Sequence, residues 1–257
     1  MKRPSSLLLF TLLLIPIVSL AADAPAGASS EAEVGFSHDA LNKGYANWDS
    51  SYLDGAHQFG ARHSVYGELR ETRRFNLNDR EISGGYYHPL SDTWTALLGA
   101  SISPDHYVLP KDTLLGQVQK AFDGGWDVQA GLRRSLYNTA SSNLLVLTGE
   151  RYWGSFRAAY TLYLSKLQGA GTAPSHMGQL SYYYAERNYF TLGLAKGRQI
   201  ENLGAGLGVL LTEVTSTSLS GRHWLDANWG VSYEATLEHQ GNLYTRKGIR
   251  FGLRRAF

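Results

Sequence analysis

Gly248-Ile249-Arg250-Phe251-Gly252-Leu253-Arg254-Arg255-Ala256-Phe257 alternates strictly up to a terminal aromatic residue. Ile249, Phe251, Leu253 and Phe257 fall on one face of a strand, and Arg250, Gly252, Arg254 and Ala256 fall on the other. One face is oily; the other is cationic and small. That division suits a strand with lipid outside and a polar lumen inside. A soluble sandwich strand also alternates, so the decision needs the rest of the chain.

At the opposite end, Lys2 and Arg3 precede an apolar run over residues 7–20, followed by the small residues around Ser19-Leu20-Ala21. This reads as a secretory signal peptide over 1–22, cut after Ala21 or Ala22. The run falls short of the ~20 residues that span a bilayer. The sequence has no cysteine, which excludes a disulfide framework and thiolate metal sites. Beyond the signal no apolar run is long enough for a membrane helix, so a membrane-spanning form must be a closed barrel, which alone satisfies its backbone in lipid. The 28 Gly, 16 Tyr, 9 Phe and 6 Trp match a barrel with aromatic girdles. A net charge of +2 with dispersed arginines argues against a nucleic-acid partner.

Residues 23–30 form an Ala-, Gly-, Pro- and Ser-rich leader, expected to be flexible and periplasmic. From there to residue 257, segments of about ten residues are separated by turn chemistry, the spacing of an antiparallel meander. They are 31–42, 50–60, 63–74, 80–88, 93–102, 113–122, 126–137, 143–150, 154–166, 176–185, 189–198, 209–220, 228–238 and 246–257. The expectation is one all-β domain over 31–257, a transmembrane antiparallel up-and-down β-barrel of fourteen strands. Segments 113–122 and 209–220 alternate poorly, which leaves twelve strands as the alternative. Short connections fall on one side, with only 221–228 longer; 103–112, 167–175 and 199–208 are longer connections on the other. That is the asymmetry between periplasmic turns and outer loops. Trp48, Trp94, Trp126, Trp153, Trp224 and Trp229 are expected to mark the two membrane interfaces.

These residues resemble the YaiO-type outer-membrane β-barrel family. The resemblance rests on Arg73-Arg74-Phe75 followed by Asp79, on Trp94, on Ser103-Pro104-Asp105 with Leu109-Pro110, and on Gly125-Trp126. It continues through Tyr137, Glu150-Arg151-Tyr152, Arg222-His223, Gln240-Gly241 with Tyr244-Thr245-Arg246, and Phe257. It implies the outer membrane as location and a context of glycosyltransferase and extracellular polysaccharide systems. One departure is Arg255, at an outward position that assembly signals usually fill with an apolar or aromatic residue.

Counting back from the last hairpin sets Glu238 against Arg246 and Glu234 against Arg250 on the inward face, and closure of the first strand on the last brings Glu33 near Arg254. This lumenal ladder would brace the barrel or, as opposed acidic and basic walls, select solutes in a pore. Arg74, Asp79, Asp105, Tyr107, Tyr244 and Arg246 map to the outer rim as candidates for binding a sugar, with rings for its apolar face and charges for its hydroxyls. The expected function is a non-enzymatic channel or surface component, with polysaccharide as a candidate partner in export or attachment. The expected partners are outer-membrane lipid, lipopolysaccharide and the barrel-assembly machinery, and the default state is a monomer. The alternative is a rim-active hydrolase or acyltransferase on lipopolysaccharide or glycan, for which Asp105, His106 and His239 are the weak catalytic candidates. No cofactor and no metal site is expected, since no His pair has ligand spacing.

Overall fold

The computed structural model of the chain describes residues 29–257 apart from 75–76, 139, 170, 186 and 203–208. The expected signal peptide lies outside the described residues, as does the leader up to residue 28. Ser29 and Ser30 already belong to the first strand. The strands are β1 (Ser29–Leu41), β2 (Trp48–Gly60), β3 (His63–Arg74), β4 (Leu77–Pro89), β5 (Trp94–Ile102), β6 (Asp112–Phe122) and β7 (Trp126–Leu136). They continue as β8 (Ser141–Trp153), β9 (Phe156–Leu167), β10 (Thr172–Tyr184), β11 (Asn188–Asn202), β12 (Val209–Trp224), β13 (Trp229–Gln240) and β14 (Tyr244–Ala256). Each pairs antiparallel with its neighbours in chain order, and β1 closes on β14, so no edge is left open.

β6 and β12, the two weakly alternating segments, are paired on both sides, which removes the twelve-strand alternative. β12 reads poorly because the polar Glu213, Thr215 and Thr217 occupy its exposed outward positions. β10 and β11 run further at their outer ends than the expected segments. The loop expected over 167–175 shrinks to 168–171, and strand pairing runs through Asn202 and resumes at Val209. At the periplasmic end β12 extends to Trp224, so the turn expected to be long, 221–228, spans only 225–228.

The outward face carries the apolar band. Leu98, Leu114 and Leu132 are 68, 65 and 63 % exposed, a state that lipid satisfies and water does not. Inside, short hydroxyl side chains pair across neighbouring strands, as in Thr148 with Thr161 at 3.0 Å and Ser181 with Thr191 at 2.8 Å. Trp94, Trp126, Trp153 and Trp229 face outward at the periplasmic rim, as expected of interface anchors. Trp48 and Trp224 do not: both fall on the inward parity of their strands, and Trp48 is 1 % exposed. Lys120 lies over the Trp94 ring at 5.2 Å, Arg151 over Trp126 at 5.2 Å, and Arg255 over Trp229 at 5.2 Å. The outward Arg255 is thus seated on aromatic faces at headgroup level, where a cation is tolerated.

Asp226 shapes the last periplasmic turn, accepting hydrogen bonds from the backbone N–H of Asn228 and of Trp229, both at 2.7 Å. These donors, Trp229 foremost, hold its carboxyl below the ordinary carboxylate range. A depressed folded value favours the turn above the ordinary range, and that contribution is lost as pH falls through the folded value. A carboxyl titration followed by NMR is expected to place the Asp226 midpoint below 3.8, and a midpoint at or above 3.8 contradicts the capping role.

Candidate functional site

The lumen is held at its closure seam by Arg254. In register, Arg254 on β14 lies opposite Glu33 on β1 and Gly230 on β13. Its guanidinium donates to Glu33 Oε2 and to Glu31 Oε2, each at 2.8 Å. Glu33 is 2 % exposed and also accepts from the Tyr52 and Ser232 hydroxyls, both at 2.7 Å. The wall makes room for this convergence with glycine. A Cβ at Gly252 would stand 2.3 Å from Glu33 Oε1, and one at Gly35 would stand 2.2 Å from the Tyr52 hydroxyl oxygen. Lower down, Arg187 adds a 3.0 Å contact to Glu31.

Near the outer end Arg246 donates to Glu238 and Asp39, both at 3.0 Å. Between these two levels Glu234 and Arg250 are register partners, yet no ion pair forms between them. Glu234 accepts from the Thr236 hydroxyl at 3.0 Å, and the Arg250 guanidinium lies over the Tyr52 ring at 4.0 Å. The expected rung is corrected on physical grounds: a hydroxyl two residues away on the same face satisfies the acid, and an aromatic face holds the cation.

The six outer-rim candidates do not form one open site. Tyr244 is 1 % exposed and packs edge-on against Trp48 and Tyr45. Arg74 and Arg246 are buried over the Trp48 ring, at 4.7 and 5.2 Å. Asp79 is fully buried, and its carboxylate accepts from the backbone N–H of Tyr107 at 2.8 Å and of Val108 and Leu109 at 2.7 Å. Asp79 therefore straps the long 103–111 loop to the inner wall, and the Ser103 hydroxyl adds a 2.7 Å bond to the Arg80 carbonyl. Val108 and Leu109 are buried as a result, while Asp105 and Tyr107 remain exposed.

The weak catalytic candidates do not converge. His106 has a positive φ of 33° and its ring nitrogen Nδ1 sits 2.9 Å from the Ser103 carbonyl and 2.8 Å from that of Pro104. His239 faces outward from β13, on the far side of the barrel from that loop, and meets the Thr245 hydroxyl at 3.1 Å. A proton relay needs hydrogen-bond reach, and these three residues have none.

Between the seam and the mouth lies a cavity of about 170 Å³. Arg70, Arg74, Arg246 and Arg250 line it together with the carboxylates Asp39, Glu234 and Glu238, with Tyr52 and Tyr163, and with a set of serine and threonine hydroxyls. Arg70 is matched by Glu68 at 2.5 Å and Arg246 by two carboxylates, whereas Arg250 makes no ion pair among the described residues. A guanidinium on a ring beside hydroxyls can bind a small polar or anionic solute.

The sequence profile of the YaiO membrane beta barrel domain matches residues 29–202, more than half of the chain. The chain belongs to this family. Among solved structures it is similar to an anion-selective porin from Comamonas acidovorans, 11 % identical over 91 % of this chain and 100 % of that one, with a TM-score of 0.51. It is also similar to a loop L8 deletion form of OmpT, an outer-membrane protein of Vibrio cholerae, at 11 % identity over 90 and 99 % of the two chains and the same TM-score. Salmonella typhi OmpF aligns at 10 % identity over 90 and 97 %, again at 0.51. At such identities the likeness concerns the fold. No curated protein gives a significant match.

Several of the motifs that carry the YaiO resemblance meet in space at the outer end. Asp79 binds the loop that holds Ser103-Pro104-Asp105 and Leu109-Pro110. Arg74 and the Tyr244-Thr245-Arg246 motif gather around Trp48. Of Glu150-Arg151-Tyr152, the inward Glu150 and Tyr152 belong to a lumenal network that sequence reading missed. Glu150 is 1 % exposed and pairs with Arg157, whose Nε donates at 2.8 Å, while Gln129 reaches it at 3.4 Å and Tyr152 at 3.3 Å. The signal was available: counting across the Gly154-Ser155 turn sets Tyr152 opposite Arg157, one diagonal step from Glu150.

Proposed function

We propose that this YaiO-family barrel is a narrow, non-enzymatic channel for small polar or anionic solutes, serving polysaccharide export or attachment at the cell surface. It would reach the outer membrane after removal of its signal peptide and be inserted by the barrel-assembly machinery. The observation that carries the channel reading is the cavity, lined by arginines and by Asp39, Glu234 and Glu238, in which Arg250 lies on the Tyr52 ring and makes no ion pair among the described residues. Fourteen strands exceed the eight whose lumen side chains fill completely. Acidic and basic groups on opposed walls create a transverse field that favours charged or polar solutes. The polysaccharide context rests on family resemblance. The rim-enzyme alternative lacks support, because His239 lies across the barrel from the loop that carries Asp105 and His106.

Purified full-length protein in planar bilayers is expected to give small unitary conductances with a preference for anions. Arg250→Glu replaces the cation in the cavity by an anion, an effect of about 1 kcal/mol in a water-like medium, which lowers the anion-to-cation permeability ratio about fivefold. Absence of conductance from demonstrably inserted protein contradicts the channel reading.

A further inference from the structure

At the outer end of the wall, one row of outward side chains leaves the apolar band and carries charge. Arg134 on β7 faces Asn143 on β8, Asn143 faces Lys166 on β9, and Lys166 faces Thr172 on β10 in unbroken register. All four are exposed. The next outward row toward the membrane centre is Leu132, Leu145 and Leu164, also in register. The wall thus changes from hydrocarbon to cation within two residues, about 7 Å along the strand. Lys196 and Arg198 continue the exposed positive charge on β11.

The periplasmic rim treats its cations differently. There Lys120, Arg151 and Arg255 each rest on an aromatic face. At the outer rim neither Arg134 nor Lys166 contacts a ring or a carboxylate among the described residues. Asp112 faces Leu136, one row further out, and makes no ion pair with Arg134. The two rims therefore present different surfaces, and the outer one places unmatched donors directly above outward-facing leucines.

We propose that Arg134, Asn143 and Lys166 form a binding site for the phosphate-bearing headgroup of lipid A, the lipopolysaccharide anchor of the outer leaflet. Neighbouring strands lie about 4.8 Å apart, which places the Arg134 and Lys166 backbones about 10 Å apart and lets both long side chains reach one headgroup. Arginine offers a planar fork to a phosphate, lysine a point charge, and the asparagine amide a neutral donor between them. Leu132, Leu145 and Leu164 beneath would receive the acyl chains. The site is independent of whether the lumen conducts.

The test uses the full chain in detergent micelles, titrated with bisphosphorylated lipid A, with lipid A stripped of its phosphates, and with phosphatidylglycerol. Arg134→Glu combined with Lys166→Glu is expected to weaken lipid A binding at least about tenfold, since two charge-assisted contacts become repulsive. Lys120→Glu combined with Arg151→Glu, at the other rim, is expected to leave it unchanged. Retention of the heat-shifted gel mobility shows that each variant is folded. Equal lipid A binding by wild type and the Arg134/Lys166 variant overturns the proposal. Equal binding of phosphate-free lipid A overturns it as well, and equal binding of phosphatidylglycerol overturns the assignment to lipid A.

Discussion

Glu33→Ala is expected to destabilise the folded barrel by about 3–5 kcal/mol, the cost of removing one partner from a buried ion pair. Glu33 is 2 % exposed and is the acceptor on which Arg254, Tyr52 and Ser232 converge. Its loss leaves a guanidinium and two hydroxyls short of an acceptor at the seam where the first strand meets the last. Urea titration of the lipid-inserted protein, followed by the heat-shifted gel band, measures the change. Glu33→Gln is expected to lose less, because the amide oxygen still accepts one bond. Arg254→Ala added to Glu33→Ala is expected to cost less than the sum of the single changes, the signature of direct coupling. A Glu33→Ala loss below about 0.5 kcal/mol, typical of an uninvolved surface position, contradicts the account.

Asp79→Ala is expected to release the 103–111 loop from the mouth. Three backbone donors share this carboxylate at 2.7–2.8 Å, and hydrogen bonds to a charged group contribute about 1.5–3 kcal/mol each. Even one third of that sum shifts a local opening equilibrium more than tenfold. Limited proteolysis is expected to cut the variant within 103–111 at least about ten times faster than wild type while the barrel keeps its gel mobility. If the lumen conducts, the unitary conductance rises with it. Unchanged protection of the loop contradicts the strap.

The barrel and its register were legible because lipid enforces alternation. Where hydrocarbon lies outside, as along Trp94, Ala96, Leu98, Ala100 and Ile102, the outward face must be apolar and the period of two stands out. Where the wall rises above the bilayer, that constraint lapses, so the outer ends of β10 and β11 read as loop. Antiparallel register needs only one fixed pair, which is why counting from the last hairpin placed Glu238 against Arg246 and Glu33 near Arg254.

Register does not fix rotamers, however. Arg250 turned to Tyr52 and left Glu234 to Thr236, a choice between neighbours that spacing alone does not encode. The rim candidates were misjudged for a related reason. Motif residues near a strand end look like a binding surface, but Asp79 lies on the inward parity of β4 and binds backbone amides that no sequence pattern advertises. Trp48 likewise sits near a strand end, yet its inward parity puts it under Arg74 and Arg246 and away from the lipid interface.

Because the chain has no cysteine, engineered pairs can report closure without background. Ala40 and Lys247 are register partners across the β1–β14 seam, and both lie near the water-accessible outer end. Oxidation of an Ala40→Cys, Lys247→Cys variant in intact outer membranes is expected to give near-complete intramolecular cross-linking, while Ala40→Cys with Ile249→Cys gives little. Absence of the first cross-link, or preference for the second, would contradict a barrel closed in this register.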